Sequence, residues 1–147
     1  MKHTVADRMS SDVIVAYPTL QLAEAVRLMR LNKIRHLCVV SAAGQLVGIV
    51  SDRDVSRALP SVLSENAGAE FTRVLETTRV GHIMTRAPIV AAPTVELWRA
   101  AKLMLENRVD ALPVVEAGHL VGILTTTDCL SALLPSPIPS GKAQSAA

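Results

Sequence analysis

The sequence predicts a mixed α/β (α+β) fold: two β-α-β-β-α repeats packed about a pseudo-two-fold axis. Three observations predict it. Residues 5–41 recur at 80–116, and after a one-residue deletion residues 44–59 recur at 118–133, with 23 identities in 53 aligned pairs. Each copy passes from a β-branched run to a 3.6-residue apolar period and back to apolar strand runs. Half of the 147 residues are hydrophobic but only 2% are aromatic, so the chain can bury an aliphatic core. One copy alone would bury too little apolar surface, which favours two copies sharing a core.

Within each copy a short leading segment, Val5–Ser10 or Val80–Thr85, precedes the β run Val13-Ile14-Val15 or Ile89-Val90. Pro18 and Pro93 end those runs, and Thr19 and Thr94 are the expected helix N-caps. Leu22, Ala25, Val26 and Met29 then fall at i, i+3, i+4 and i+7, and Leu97, Ala100, Ala101 and Met104 repeat the stripe. Asn32 and Asn107 suit the left-handed residue that closes a helix. Leu37–Val40 with Leu46–Val50, and Leu112–Val115 with Leu120–Leu124, read as hairpins turning at Gly44 and Gly118. A last helix follows each hairpin. The expected divisions are 5–59, a linker 60–79 with a helical stretch at Ala69–Thr77, 80–134, and a Pro/Ser/Ala-rich tail, 135–147, expected to be disordered.

Charge and composition narrow the function. Residues 1–59 carry eight Lys/Arg against five Asp/Glu, and residues 80–134 carry four against five. That imbalance is too weak for a nucleic-acid footprint, and one Trp, one Tyr and one Phe make no base-stacking platform. The longest stretch free of ionisable residues, Leu37–Ser51, is too short to span a bilayer. No apolar run follows the basic N-terminus, so a cytoplasmic chain is expected. Cys38 and Cys129 lack metal-ligand spacing and read as reduced, buried thiols. His3, His82 and His119 are isolated, Met9, Met29, Met84 and Met104 follow the core pattern, and no catalytic constellation stands out.

The chemistry concentrates in two turns, Gly48-Ile49-Val50-Ser51-Asp52-Arg53-Asp54 and Gly122-Ile123-Leu124-Thr125-Thr126-Thr127-Asp128. A hydroxyl residue followed at +3 by Asp is an N-cap signature. Free N–H groups at such a helix start also offer a position for phosphate. Asp54 and Asp128 therefore have two readings. Each reaches back to its own N-cap, or each accepts hydrogen bonds from the vicinal hydroxyls of a sugar. Arg35, His36 and Arg53 surround the first turn, whereas Asp110, Ala111 and Thr127 stand at the matching places of the second. Charge alone predicts that phosphate prefers the first.

Taken together, Met9-Ser10 and Met84-Thr85, Leu112-Pro113-Val114-Val115 and the paired turns make residues 5–134 resemble a tandem pair of CBS domains, the Bateman module. Cys38 stands where that family usually has Pro, and Ser51 where Thr is commoner. The resemblance implies two clefts between the copies that bind adenine nucleotides such as AMP, ADP or ATP. NAD and S-adenosylmethionine are not distinguished from these by sequence. The implied first cleft uses Ile49, Ser51 and Asp54, with Arg35 and His36 near phosphate and Thr85, Ile89, Val109 and Asp110 around the base. The implied second uses Ile123, Thr125 and Asp128, with Ser10, Ile14, Ile34 and Arg35. The expected role is a regulatory sensor without catalysis, forming a homodimer and signalling to an effector protein in trans. No cofactor is expected, although Mg²⁺ could accompany a polyphosphate. The alternative is a dimerisation or interaction scaffold whose clefts bind nothing.

Overall fold

The computed structural model describes residues 3–135. The expected tail therefore lies, but for its first residue, outside the described residues. The chain forms two compact units, Ile14–Ala87 and, among the described residues, 3–13 together with 88–135.

The first unit contains β1 (Val15–Ala16), α1 (Leu22–Asn32), β2 (His36–Val40), β3 (Leu46–Ser51), α2 (Asp52–Ala58), α3 (Ala67–Thr77), α4 (Val80–Ile83) and β4 (Thr85–Arg86). Its sheet order is β1-β2-β3-β4, with β1 parallel to β2 and the other pairs antiparallel. Leu22, Ala25 and Met29 of α1 close over Leu37, Val39 and Val50 of the sheet. The second unit repeats this plan with α5 (Leu97–Asn107), β5 (Ala111–Glu116), β6 (His119–Thr125) and α6 (Thr126–Ser131). Its core joins Leu97, Ala100 and Met104 to Leu112, Val114 and Leu124. The edge rows are single bridges, Ala91 with Val114 and Ser10 with Ile123, so the expected strand Ile89-Val90 is reduced to one bridge at Ala91.

The compact units cut the chain at other places than the repeat does, because the leading segments are exchanged. Val80 and Gly81 donate to Leu20 O and Pro18 O, and β4 extends the first unit's sheet through Gly48–Arg86 and Ile49–Thr85. Conversely Val5 and Ala6 donate to Val95 O and Pro93 O, and Ser10 exchanges both backbone bonds with Ile123. Each Met-Ser/Thr pair therefore lies along the turn strand of the other copy.

The helix ends differ from the sequence expectation in two ways. Thr19 and Thr94 are not caps; Gln21 and Glu96 hold the N-cap position without a side-chain bond. A remote backbone does that work, since Leu22 N–H donates to Thr78 O and Leu97 N–H to His3 O. The left-handed residues are Lys33 and Arg108, with φ of 51° and 54°, not the preceding asparagines. Asn32 and Asn107 end their helices by donating side-chain amides to Leu28 O and Leu103 O, at 2.8 and 2.9 Å. Gly44 and Gly118 turn the hairpins at φ of 79° and 78°, as expected. The linker helix begins two residues before the expected Ala69.

Cys38 is buried in β2 and Cys129 is half-buried; neither forms a disulfide. Burial pushes the Cys38 thiol up to about 12, so it stays protonated and inert. No helix among the described residues is long and apolar enough to cross a membrane.

Candidate functional site

Each turn is built in the same three steps. The hairpin ends at a hydroxyl residue in extended conformation, Ser51 or Thr125. The strand opposite holds the helix start: His36 faces Ser51 and Ala111 faces Thr125. The first helical N–H is then taken by a neighbouring carbonyl, Asp52 N–H by Arg35 O and Thr126 N–H by Asp110 O, both at 2.9 Å.

A full capping box completes each turn. Asp54 Oδ2 accepts from Ser51 N–H at 2.8 Å and from Ser51 Oγ at 3.0 Å, while Asp54 N–H donates to Ser51 Oγ at 3.2 Å. Asp128 Oδ2 accepts from Thr125 N–H and Oγ1 at 2.8 and 2.9 Å, and Asp128 N–H donates to Thr125 Oγ1 at 3.3 Å. Such a box contributes about 1 kcal/mol to holding a helix start.

This geometry settles part of the twofold reading of the aspartates. Both do reach back to their own N-caps. Every one of those carboxylate bonds goes to Oδ2, and among the described residues Oδ1 of either aspartate accepts none. Capping and a contact to a further donor are therefore compatible in one side chain. The expectation that phosphate meets free N–H groups fares worse. The N–H groups of Asp52 and Asp54, and of Thr126 and Asp128, are already bonded. Both hydroxyls donate to the aspartates as well. That leaves fewer backbone donors for phosphate at either turn than the motif suggests.

The side chains differ between the turns. Arg35, His36, Ile49, Ser51, Asp54 and Thr85 all belong to the first unit, with Ile49 paired to Thr85 on β4. The second unit brings together Ser10, Ile123, Thr125 and Asp128, with Asp110 where the first has Arg35. Ile89 and Val109 pack against the second unit's core, and Ile14 and Ile34 against the first's. No group of His, Cys, Asp or Glu among the described residues could hold a metal ion.

Asp128 is 6% exposed. Burial raises its pKa above the usual carboxylate value, and the bonds from Thr125 only partly oppose this. Ionised Asp128 thus weakens the folded state, and stability is lost as pH rises from about 3.8 through the folded pKa. Asp128→Asn keeps an oxygen acceptor for Thr125 and removes the charge. Its urea midpoint relative to wild type should rise between pH 4 and pH 7. A midpoint difference that falls over that range would contradict this account of the site.

The glycines that precede the turns were not marked by sequence reasoning as site-shaping residues. A Cβ on Gly48 would stand 2.6 Å from Met84 Sδ and 2.9 Å from Thr85 O. One on Gly122 would stand 2.5 Å from Met9 Sδ and 3.0 Å from Ser10 O. The missing side chains let the exchanged leading segments lie flat beside the turns. The recurrence of Met-Ser/Thr and Gly in both copies was the available signal.

The model of the CBS domain matches residues 5–61 and 80–135. The chain belongs to the CBS-domain family. It is 35% identical to MJ1426 of Methanocaldococcus jannaschii, across 82% of this chain and 86% of that one. The crystal structure of CBSX2 in complex with AMP superposes with a TM-score of 0.74 at 34% identity, covering 88% of this chain and 95% of that one. CBSX2 is an Arabidopsis thaliana protein. The CBS pair of MJ0100, in complex with 5′-methylthioadenosine and S-adenosyl-L-methionine, superposes with a TM-score of 0.72 at 28% identity over 87% of this chain and 93% of that one. The mixed α/β repeat architecture is thus that of CBS-pair proteins.

Proposed function

We propose that this CBS pair is a regulatory ligand sensor that binds an adenine nucleotide, with the turn holding Asp54 as its dominant site. The observation that carries the reading is the free acceptor face of the turn aspartate: Oδ2 holds the helix start and Oδ1 is left for a ribose diol. The relatives support the ligand class. CBSX2 was crystallised with AMP, and MJ0100 with two further adenosine compounds. Adenosine is what those ligands share, so the sugar and base are the expected common determinants.

Phosphate recognition then falls to Arg35 and His36, with Arg53 beside them in sequence, and favours the first turn over the second, where Asp110 replaces Arg35. Binding would bias the chain between two states and pass that bias to an effector in trans; this requires different affinities for the two states. Homodimerisation belongs to the same proposal, as does Mg²⁺ carried by a bound polyphosphate. We assign no catalytic step.

A thermal-shift series with AMP, ADP, ATP, NAD and S-adenosylmethionine tests the reading. A ligand that binds only the folded chain raises the midpoint in a saturable way, by about 2.7 kcal/mol of stabilisation at one hundred times its Kd. At least one adenosine compound should do so, and Arg35→Ala should weaken ATP more than adenosine. The competing scaffold reading draws on the closed capping boxes. It predicts no shift with any of the five.

A further inference from the structure

We propose that the first unit holds a second ligand site, for a small amphipathic carboxylate, in a pocket between α1, α2 and α3. The pocket encloses about 420 Å³, within the range of small-molecule sites. Its walls are apolar: Met29 of α1, Val55 and Leu59 of α2, and Phe71 and Leu75 of α3 are among its lining residues. Its rim is basic. Arg30, Lys33 and Arg35 border it against a single acid, Asp52. None of these four charges forms an ion pair among the described residues. An apolar chamber with surplus cations at its mouth suits a ligand with a hydrocarbon body and an anionic head.

The internal repeat provides a control within the same molecule. Arg30 and Arg35 correspond to Leu105 and Asp110, and Ser56 and Leu59 to Leu130 and Leu133. Leu105, Leu130 and Leu133 are 81, 60 and 80% exposed. Among the described residues of that copy no helix corresponds to α3. Lys33 corresponds to Arg108, which Asp110 offsets, so among the described residues the surplus of cations and the covering helix occur together in the first unit alone. The linker helix has no fully buried residue and meets the core through the partly buried Val74 and Leu75. Its apolar walls are helical side chains away from the capped turns, but its rim shares Arg35 with the proposed nucleotide site, so variants at Arg30 and Asp54, and not at Arg35, separate the two.

Decanoate, kept below its aggregation threshold, is the probe, followed by backbone amide NMR on the full chain. Saturable shifts should centre on Val26, Ser56, Phe71 and Leu75. Decanol, of equal length and no charge, should bind about ten-fold more weakly. Arg30→Leu, which copies the other repeat, should lower decanoate affinity by a similar factor and leave decanol unchanged. Ser56→Trp, placed at an exposed helix position, should block both ligands while the spectrum stays folded. Absence of saturable shifts, equal binding of decanol, or shifts centred on Leu105, Leu130 and Leu133 would each overturn the proposal. Asp54→Ala should leave decanoate binding intact even where it abolishes AMP binding, so the two sites fail separately.

Discussion

Gly48→Ala should destabilise the protein by about 1–3 kcal/mol, the usual cost of overpacking. The added methyl meets Met84 Sδ at 2.6 Å, which a flexible side chain can relieve, but also Thr85 O at 2.9 Å, which it cannot. Relief requires β4 to move off β3, and that strand pair is what carries Thr85 to the turn. Gly122→Ala should behave alike, against Met9 and Ser10 O. Gly68→Ala provides the contrast. It lies in the first turn of α3 with nothing within 4 Å of its would-be Cβ. There the change should be neutral or stabilise by up to about 1 kcal/mol, since alanine favours helix. Urea midpoints of the three variants decide this, and Gly48→Ala as stable as Gly68→Ala would remove the packing argument.

Asp54→Ala should lower AMP affinity by about 100-fold. Two hydrogen bonds from a ribose diol to a carboxylate are worth about 1.5–3 kcal/mol each, and not all of that is lost once water replaces the side chain. The same variant forfeits the capping box, at about 1 kcal/mol of stability. The two losses separate, because Asp54→Asn keeps an acceptor for Ser51 and should restore more stability than affinity. Asp128→Ala removes an equivalent box but from a turn lacking Arg35. It also deletes a carboxylate whose ionisation burial already opposes. Its effect on AMP should be the smaller.

Much of this molecule could be read before any coordinates. α1 and α5 declared themselves by the Leu22 and Leu97 stripes, and the hairpins by Gly44 and Gly118, because those signals are local and periodic. The capping boxes were legible for the same reason: Ser51 and Asp54 are one helical turn apart. What was missed depends on partners far along the chain. Thr19 and Thr94 looked like caps, yet Thr78 O and His3 O satisfy those helix starts from outside. The exchange of leading segments left no local trace in the residues, since Ser10 meets Ile123 across most of the sequence; the family resemblance alone grouped Ser10 with Ile123 and Thr85 with Ile49. Backbone donors that look free in a motif are in part occupied in the fold: Arg35 O and Asp110 O take the first of them. The pocket under α3 was invisible, because Phe71 and Leu75 acquire meaning only once the linker helix lies on α1 and α2.

Calorimetric titration of AMP into the wild-type chain, Asp54→Ala and Asp128→Ala, side by side at one pH and salt concentration, is the most direct measurement. The account predicts saturable binding to wild type, a loss for Asp54→Ala at least ten times larger than for Asp128→Ala, and folded proteins throughout. Equal losses in the two variants, or wild type that takes up no AMP, would contradict it.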